Sequence, residues 1–220
     1  WRKQALALAG KGYRVIIPDQ RGYNLSSAPH EVSAYTLEHL SRDVIAILDH
    51  FSIEKVLLAG HDWGAAVAWT VVSLHPERVE KLAILNVPHP AVMVSTLRKS
   101  PRQMLKSWYI AFFQIPGLAD WLMKLNNFAG VLTMLKASGN PGTFSAEDLA
   151  EYRKAYTNSG GLTGMINWYR AMLRTQTRTA GRSRLEMPVL ILWGKRDVAL
   201  SAGMAQDSLK RCQNGELVFF

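Results

Sequence analysis

Two kinds of apolar pattern alternate along this 220-residue chain. Short, largely apolar runs at residues 13–17, 56–59, 82–87, 189–193 and 216–220 have the length of strands buried in a parallel sheet. The run at 56–59 is expected to be covered on both faces. Between the runs, apolar residues recur at helical spacing. Leu37, Leu40, Val44, Ile47, Leu48 and Phe51 line one side of a predicted helix over 36–51, with Thr36 as its candidate cap. Residues 1–9 read as a helix stopped by Gly10 and Gly12, and a further helix is expected around 202–210. Strands alternating with helices predict an α/β fold, a mostly parallel sheet with helices on both faces.

From about residue 91 to 186 the alternation stops. The stretch is helical in character, rich in Trp, Tyr, Phe and Met, and broken at Pro116-Gly117, Gly139-Asn140-Pro141-Gly142 and Gly160-Gly161. It reads as a helical cap inserted over the strand ends, where open α/β sheets build their sites. The expected organisation is a core at 1–90, a cap at 91–186 and a resumed core at 187–220.

The run Val56-Leu57-Leu58-Ala59 leads into Gly60-His61-Asp62-Trp63-Gly64 and then an Ala-rich helical segment. Strand, G-x-D-x-G turn and helix together have the form of a nucleophile elbow, with Asp62 where Ser usually stands. A carboxylate attacking an acyl carbon gives only an anhydride, whereas attack on a saturated carbon gives a stable alkyl ester. The substrate expected from this reasoning is an epoxide or alkyl halide. The helix N-terminus and the Trp63 backbone N–H suit the oxyanion formed when that ester is hydrolysed. The structural alternative is Asp62 as a plain helix N-cap.

Composition narrows the picture only modestly. Hydrophobic residues at 48% and charged residues at 20% are ordinary for a globular chain long enough to bury a substantial core. No apolar run in this chain approaches the roughly 20 residues of a spanning helix, and no signal-peptide pattern is present. The single Cys212 excludes an internal disulfide and suits a reducing, cytoplasmic setting. A net charge of +9 draws on Arg98, Lys99, Arg102, Lys106, Arg170, Arg174, Arg178, Arg182 and Arg184. With no nucleic-acid motif or phosphate loop beside them, these read as a solvated face. The chain starts without Met inside a helical pattern and stops inside an apolar run, as a segment of a longer protein would.

In order and in motif, the chain resembles an α/β-hydrolase of the epoxide hydrolase group over essentially its whole length. The resemblance rests on Asp19-Gln20-Arg21-Gly22-Tyr23, the Asp62 elbow, Phe112-Phe113-Gln114-Ile115-Pro116-Gly117, Ile166-Asn167-Trp168-Tyr169-Arg170 and Trp193-Gly194-Lys195-Arg196-Asp197. It implies an α/β-hydrolase fold with a helical cap, and hydrolysis of an apolar epoxide by water without cofactor or metal. It also implies Asp62 as nucleophile, an oxyanion-hole N–H from Trp63, and hydroxyl donors from Tyr109 and Tyr169. Asp197 would orient a catalytic histidine, and Trp108, Phe112 and Trp168 would line the substrate pocket. Asn24 stands where the group usually has Gly, a replacement a left-handed turn tolerates. All six histidines precede the cap, whereas the group's histidine follows the last strand and its His-Gly-x-Pro stretch would precede Trp1. The chain as written is therefore expected to form the alkyl-enzyme without turning over.

Each assignment has a structural counterpart. Tyr169 and Tyr109 sit in aromatic runs that also suit a core, and Asp197 follows a strand where a turn-forming Asp would serve. Arg21 reads as an ion-pairing or backbone-binding residue, and His61 as structural. Haloalkane or haloacid dehalogenases share the Asp-Trp elbow, although the tyrosine pair argues against them. A non-catalytic α/β-hydrolase scaffold is the alternative from another class.

Overall fold

A computed structural model describes residues 1–158, 162–174 and 184–220. Gly160-Gly161, Arg178 and Arg182 lie outside the described residues. Helix α1 (Arg2–Ala9) ends at Gly10, and α2 (Leu37–His50) is capped by the Thr36 hydroxyl, which accepts the His39 N–H. Strand β1 (Val56–His61) runs into α3 (Trp63–Leu74), and β2 (Val79–Leu85) is followed by α4 (Pro90–Lys99). The helices α5 (Pro101–Lys106), α6 (Trp108–Phe112), α7 (Leu118–Ser138), α8 (Ala146–Thr157) and α9 (Leu162–Arg174) come next. Strand β3 (Leu185–Trp193), α10 (Gly203–Leu209) and β4 (Cys212–Phe219) complete the chain.

The sheet has the order β1-β2-β3-β4, every pair parallel. Leu82, Ile84, Val189, Ile191 and Trp193 are buried on one face, in one cluster with Trp69 of α3, Val92 of α4 and Met204 of α10. The alternating Ala83, Leu85, Leu190 and Leu192 are only half-buried. The expectation that β1 is covered on both faces is corrected, because Leu57 is 47% exposed. β1 is the edge strand, and α3 packs on it with α2 packed against α3 in turn.

Residues 13–17 form no strand, and Tyr13 and Ile17 are largely exposed. A strand exists through its ladder, and no described segment supplies one here. The second strand ends at Leu85, short of the expected Val87, because Asn86 turns at φ 58°. The last strand begins at Cys212, four residues ahead of the expected start at Glu216. Asn24 takes a φ of 45°, as its turn requires, and binds Asp19 and Asn158.

A second apolar cluster joins Phe113, Ala119, Phe128, Leu132, Tyr156, Leu162 and Ile166, drawn from the turn after α6 and from α7, α8 and α9. Helix α7 is interrupted at Leu125, Asn126, Asn127 and Phe128, the last three at positive φ, and this turns the buried Phe128 ring toward Tyr156. The two clusters meet where two backbones touch. A Cβ on Gly164 would stand 2.7 Å from the Gly22 Cα and 2.8 Å from its carbonyl oxygen. Trp168 seals this joint by donating its indole N–H to the Arg21 carbonyl at 2.9 Å. Arg21 itself forks onto Asp43 and reaches the Ala34 carbonyl, the structural role expected of it.

Gly164→Ala should therefore lower stability by about 1–3 kcal/mol despite the better helix propensity of Ala, because backbone has to move. Gly203→Ala, with nothing within 4 Å of the new methyl, should be neutral or slightly stabilising. Urea unfolding of the pair checks this, and equal midpoints would contradict the close contact.

Candidate active site

The site begins with a strained turn. Between β1 and α3, Asp62 has φ 52° and ψ −132°, a conformation that a residue bearing a side chain rarely adopts. Gly60 permits it: a Cβ there would lie 2.5 Å from the Gly64 carbonyl oxygen and 2.6 Å from the Ala65 Cα. The turn lifts the Asp62 side chain to the tip of the strand–helix corner. Asp62 precedes α3 yet makes no side-chain cap to it, so its strain is not explained by capping.

Asp62 is crowded by protein yet reachable by solvent. Burial pushes its carboxyl above the ordinary carboxylate range, and the Asp197 charge adds to this. His61 and a hydrogen bond from the Trp63 N–H pull the other way without reversing the direction. His61 itself is exposed. Solvent access limits how far the carboxyl rises.

Two phenols on the helices that follow lie close enough to this carboxylate to feel its charge. Tyr109 on α6 and Tyr169 on α9 stand edge to face, with ring centroids 5.7 Å apart, and Trp63 meets Tyr169 at 4.9 Å. Phe113 closes the group, 4.8 Å from Tyr169 and 6.0 Å from Tyr109. Burial, and then the Asp62 charge, push the Tyr109 phenol up to about 12 and Tyr169 well above its usual value. A hydrogen bond with the Trp63 side chain opposes the rise at Tyr169. Both phenols hold their protons at neutral pH.

Polar staples set the distance between α6 and α9. Gln114 donates to the Tyr169 carbonyl at 2.9 Å and to the Ile110 carbonyl at 3.2 Å. Arg170 is 6% exposed; its Nε binds the Phe113 carbonyl, Nη1 the Asn167 amide oxygen and Nη2 the Asp120 carboxylate. Arg170 thus departs from the solvated basic face expected of it, because buried acceptors surround its guanidinium. Arg174 binds the Gln114 backbone and side chain. The motif residues Gln114 and Arg170 are the parts that hold the tyrosines beside each other.

On the sheet side, Asp197 lies beyond β3. Its Oδ1 accepts the N–H groups of Ala199 and Leu200, both at 2.8 Å, and its Oδ2 accepts the Asn86 amide at 2.6 Å. Asp197 is thus a turn-forming residue, and it keeps acceptor capacity on Oδ2. Its charge is felt at both Asp62 and Tyr109.

The three aromatic residues expected in the pocket divide. Phe112 is half-buried and 5.7 Å from Phe113. Trp168 is fully buried, 5.5 Å behind Trp63 and 5.3 Å from Tyr23, with its N–H committed to Arg21. Trp108 is 62% exposed and stands outside the ring group of Tyr109, Phe113 and Tyr169. Its ring lies 6.1 Å from that of Phe112, while Tyr109 and Phe113, four residues apart, both contact Tyr169. Sequence reasoning passed over Asn86, whose available signal was a polar residue at the very end of an apolar run. It also passed over Gln103, which carried no signal at all. No group of three or more His, Cys, Asp or Glu able to hold a metal occurs among the described residues, nor does a helix long and apolar enough to cross a membrane.

The whole chain, residues 1–220, matches the family model described as the alpha/beta hydrolase fold. It is 41% identical over 219 residues to the AB hydrolase superfamily protein YfhM of Bacillus subtilis (strain 168), spanning 100% of this chain and 76% of that protein. It is 35% identical over 212 residues to epoxide hydrolase 4 of Homo sapiens, covering 94% of this chain and only 58% of the human protein. The crystal structure of Bacillus megaterium epoxide hydrolase in complex with an inhibitor superposes with a TM-score of 0.90 at 27% identity, covering 100% of this chain and 80% of that one. The Asp-bearing elbow, the tyrosine-bearing cap and these likenesses converge: the chain belongs to the α/β-hydrolase family, within its epoxide hydrolase group.

Proposed function

We propose that this protein opens epoxides to vicinal diols through an alkyl ester on Asp62. The observation that carries the proposal is the strained, uncapped Asp62 carboxylate within electrostatic reach of two protonated phenols that contact each other. Asp62 attacks a ring carbon, the C–O bond breaks, and Tyr109 and Tyr169 hold and protonate the alkoxide. Electrostatics assist at the right moment. Ester formation cancels the Asp62 charge that raises both phenols, so they become better proton donors as the alkoxide appears. Ester hydrolysis needs a base, the role the resemblance gives to a histidine oriented by Asp197, with the Trp63 N–H stabilising the oxyanion. Residues 91–186 act as the lid that carries the tyrosines. The side chain of Trp63, the elbow donor that a halide site could use, is hydrogen-bonded with Tyr169, which favours epoxide over alkyl halide.

Asp62→Ala should keep the fold and lose all turnover in the full-length protein. Mass spectrometry of an Asp197→Asn variant incubated with a styrene-type epoxide should find the adduct on the Asp62 peptide. An adduct mapping elsewhere, or activity in Asp62→Ala, sinks the assignment.

Tyr169→Phe should slow ring opening by on the order of 10²-fold, about 2.7 kcal/mol, with little effect on substrate binding. The Tyr109→Phe/Tyr169→Phe double variant should be slower still, and the parent should release no halide from 1-bromoalkanes. Halide release at the rate of epoxide opening, untouched by loss of both hydroxyls, would establish a dehalogenase instead.

The pH profile of single-turnover alkylation follows from the same charges. Only ionised Asp62 attacks, so the rate falls as pH drops through its raised pKa, and the acid limb should lie above the ordinary carboxylate midpoint of about 4. Phenol donors fail only when deprotonated, so the alkaline limb should lie above about 10, the ordinary tyrosine value. Rapid-quench measurements from about pH 4 to pH 11 check both. An alkaline limb near neutrality would exclude the tyrosines as donors.

A further inference from the structure

Where α5 meets the loop bearing Asp197, a primary amide is fully buried with every hydrogen-bonding site in use. Gln103 on α5 is 0% exposed. Its Nε2 donates to the Ala199 carbonyl at 2.7 Å and to the Ser107 hydroxyl at 3.1 Å. Its Oε1 accepts the Ser201 N–H at 3.2 Å and the Ser201 hydroxyl at 2.8 Å. Both amide hydrogens and both lone pairs are satisfied, and a carbonyl on one side with an N–H on the other fixes which way the amide faces. The segment it grips is the one whose Ala199 and Leu200 N–H groups hold Asp197 Oδ1. Ser100 caps α5 by accepting the Gln103 N–H at 3.2 Å, which anchors the amide's own backbone.

We propose that Gln103 is a positioning residue for Asp197: by clamping residues 199–201 it fixes the carboxylate's direction and ties it to the cap. The inference rests on the reading of Asp197 as the acid that orients the base for ester hydrolysis. Asn86 holds Oδ2 from the sheet and Gln103 holds the Oδ1 loop from the cap, so the acceptor capacity left on Oδ2 has one direction. A loosened loop lets the carboxylate swing. Small misplacements of this kind cost up to about 10²-fold in rate. The ring-opening step, which uses Asp62 and the two phenols, does not pass through this clamp.

Gln103→Met in the full-length protein keeps the side chain's length and removes its four bonds. Amides of the segment containing Ala199 and Leu200 should exchange with deuterium faster than in the parent. With a styrene-type epoxide, kcat should fall about tenfold by slower ester breakdown. KM should fall with it, kcat/KM should stay near the parent's, and the ester should accumulate on Asp62. A merely structural role would lower the unfolding temperature and leave KM unchanged. Ser201→Ala, which removes one bond and little volume, should give the same signature more weakly and serves if Gln103→Met folds poorly. Parental exchange or parental kcat in these variants, beside an Asp197→Asn variant that accumulates ester, overturns the role of the amide. An Asp197→Asn variant that turns over like the parent overturns the proposal through the acid itself.

Discussion

Everything in this molecule hangs on one residue held at a backbone angle it would not choose. Asp62 at φ 52° and ψ −132° costs of order 1–3 kcal/mol, and only the packing of the elbow sustains it. Gly60 allows α3 to fold back within contact distance of β1, and Ala65, Val67, Ala68, Trp69 and Val71 bury α3 against the sheet. The strain sets a carboxylate at the tip of the corner, where a relaxed turn would leave it along the helix axis as a cap. The chemistry proposed for it depends on that placement.

The cap is seated by directed polar contacts as much as by apolar area. Val92, Trp168 and Ala171 join the sheet's own apolar cluster, and the Gly22–Gly164 contact, the Trp168 bond to Arg21 and the Gln103 amide give that joint its direction. Within the cap, Arg170 and Gln114 fix the spacing of α6 and α9. Hydrogen bonds to charged groups contribute about 1.5–3 kcal/mol each, but leaving a buried partner unsatisfied costs as much or more. Direction rather than net stability is what such contacts supply. That is suited to an arrangement in which two phenols must face a carboxylate on another element.

The same economy of space explains the electrostatics. Asp62, Asp197, Tyr109 and Tyr169 share a crowded volume, so each carboxylate charge is felt by the others' neighbours. Low solvation makes the phenols hold their protons, and the protein crowded around the solvent-reachable Asp62 moves its carboxyl in the same direction. Removing one negative charge by ester formation therefore changes the acidity of both phenols together.

Periodicity and local chemistry in the chain were enough for the elements that are stabilised locally. The helical spacing and Thr36 cap gave α2, the apolar run and the two glycines gave the elbow, and Asn24 could be read as left-handed because its own side chain tolerates that turn. What the local pattern lacked was anything set by a distant partner. Residues 13–17 have the composition of a strand and no ladder among the described residues, while the aromatic Trp108 is 62% exposed. Arg170 looked like a surface cation until Asp120, fifty residues earlier, and the Phe113 carbonyl enclosed it. Asn86 and Gln103 acquire meaning only through Asp197 and its loop, about 100 residues further on. Local sequence fixes what a segment prefers to be, because propensity, capping and turn chemistry act over a few residues. Only the assembled fold decides what a side chain faces, because burial and hydrogen-bond partners come from segments far apart in the chain.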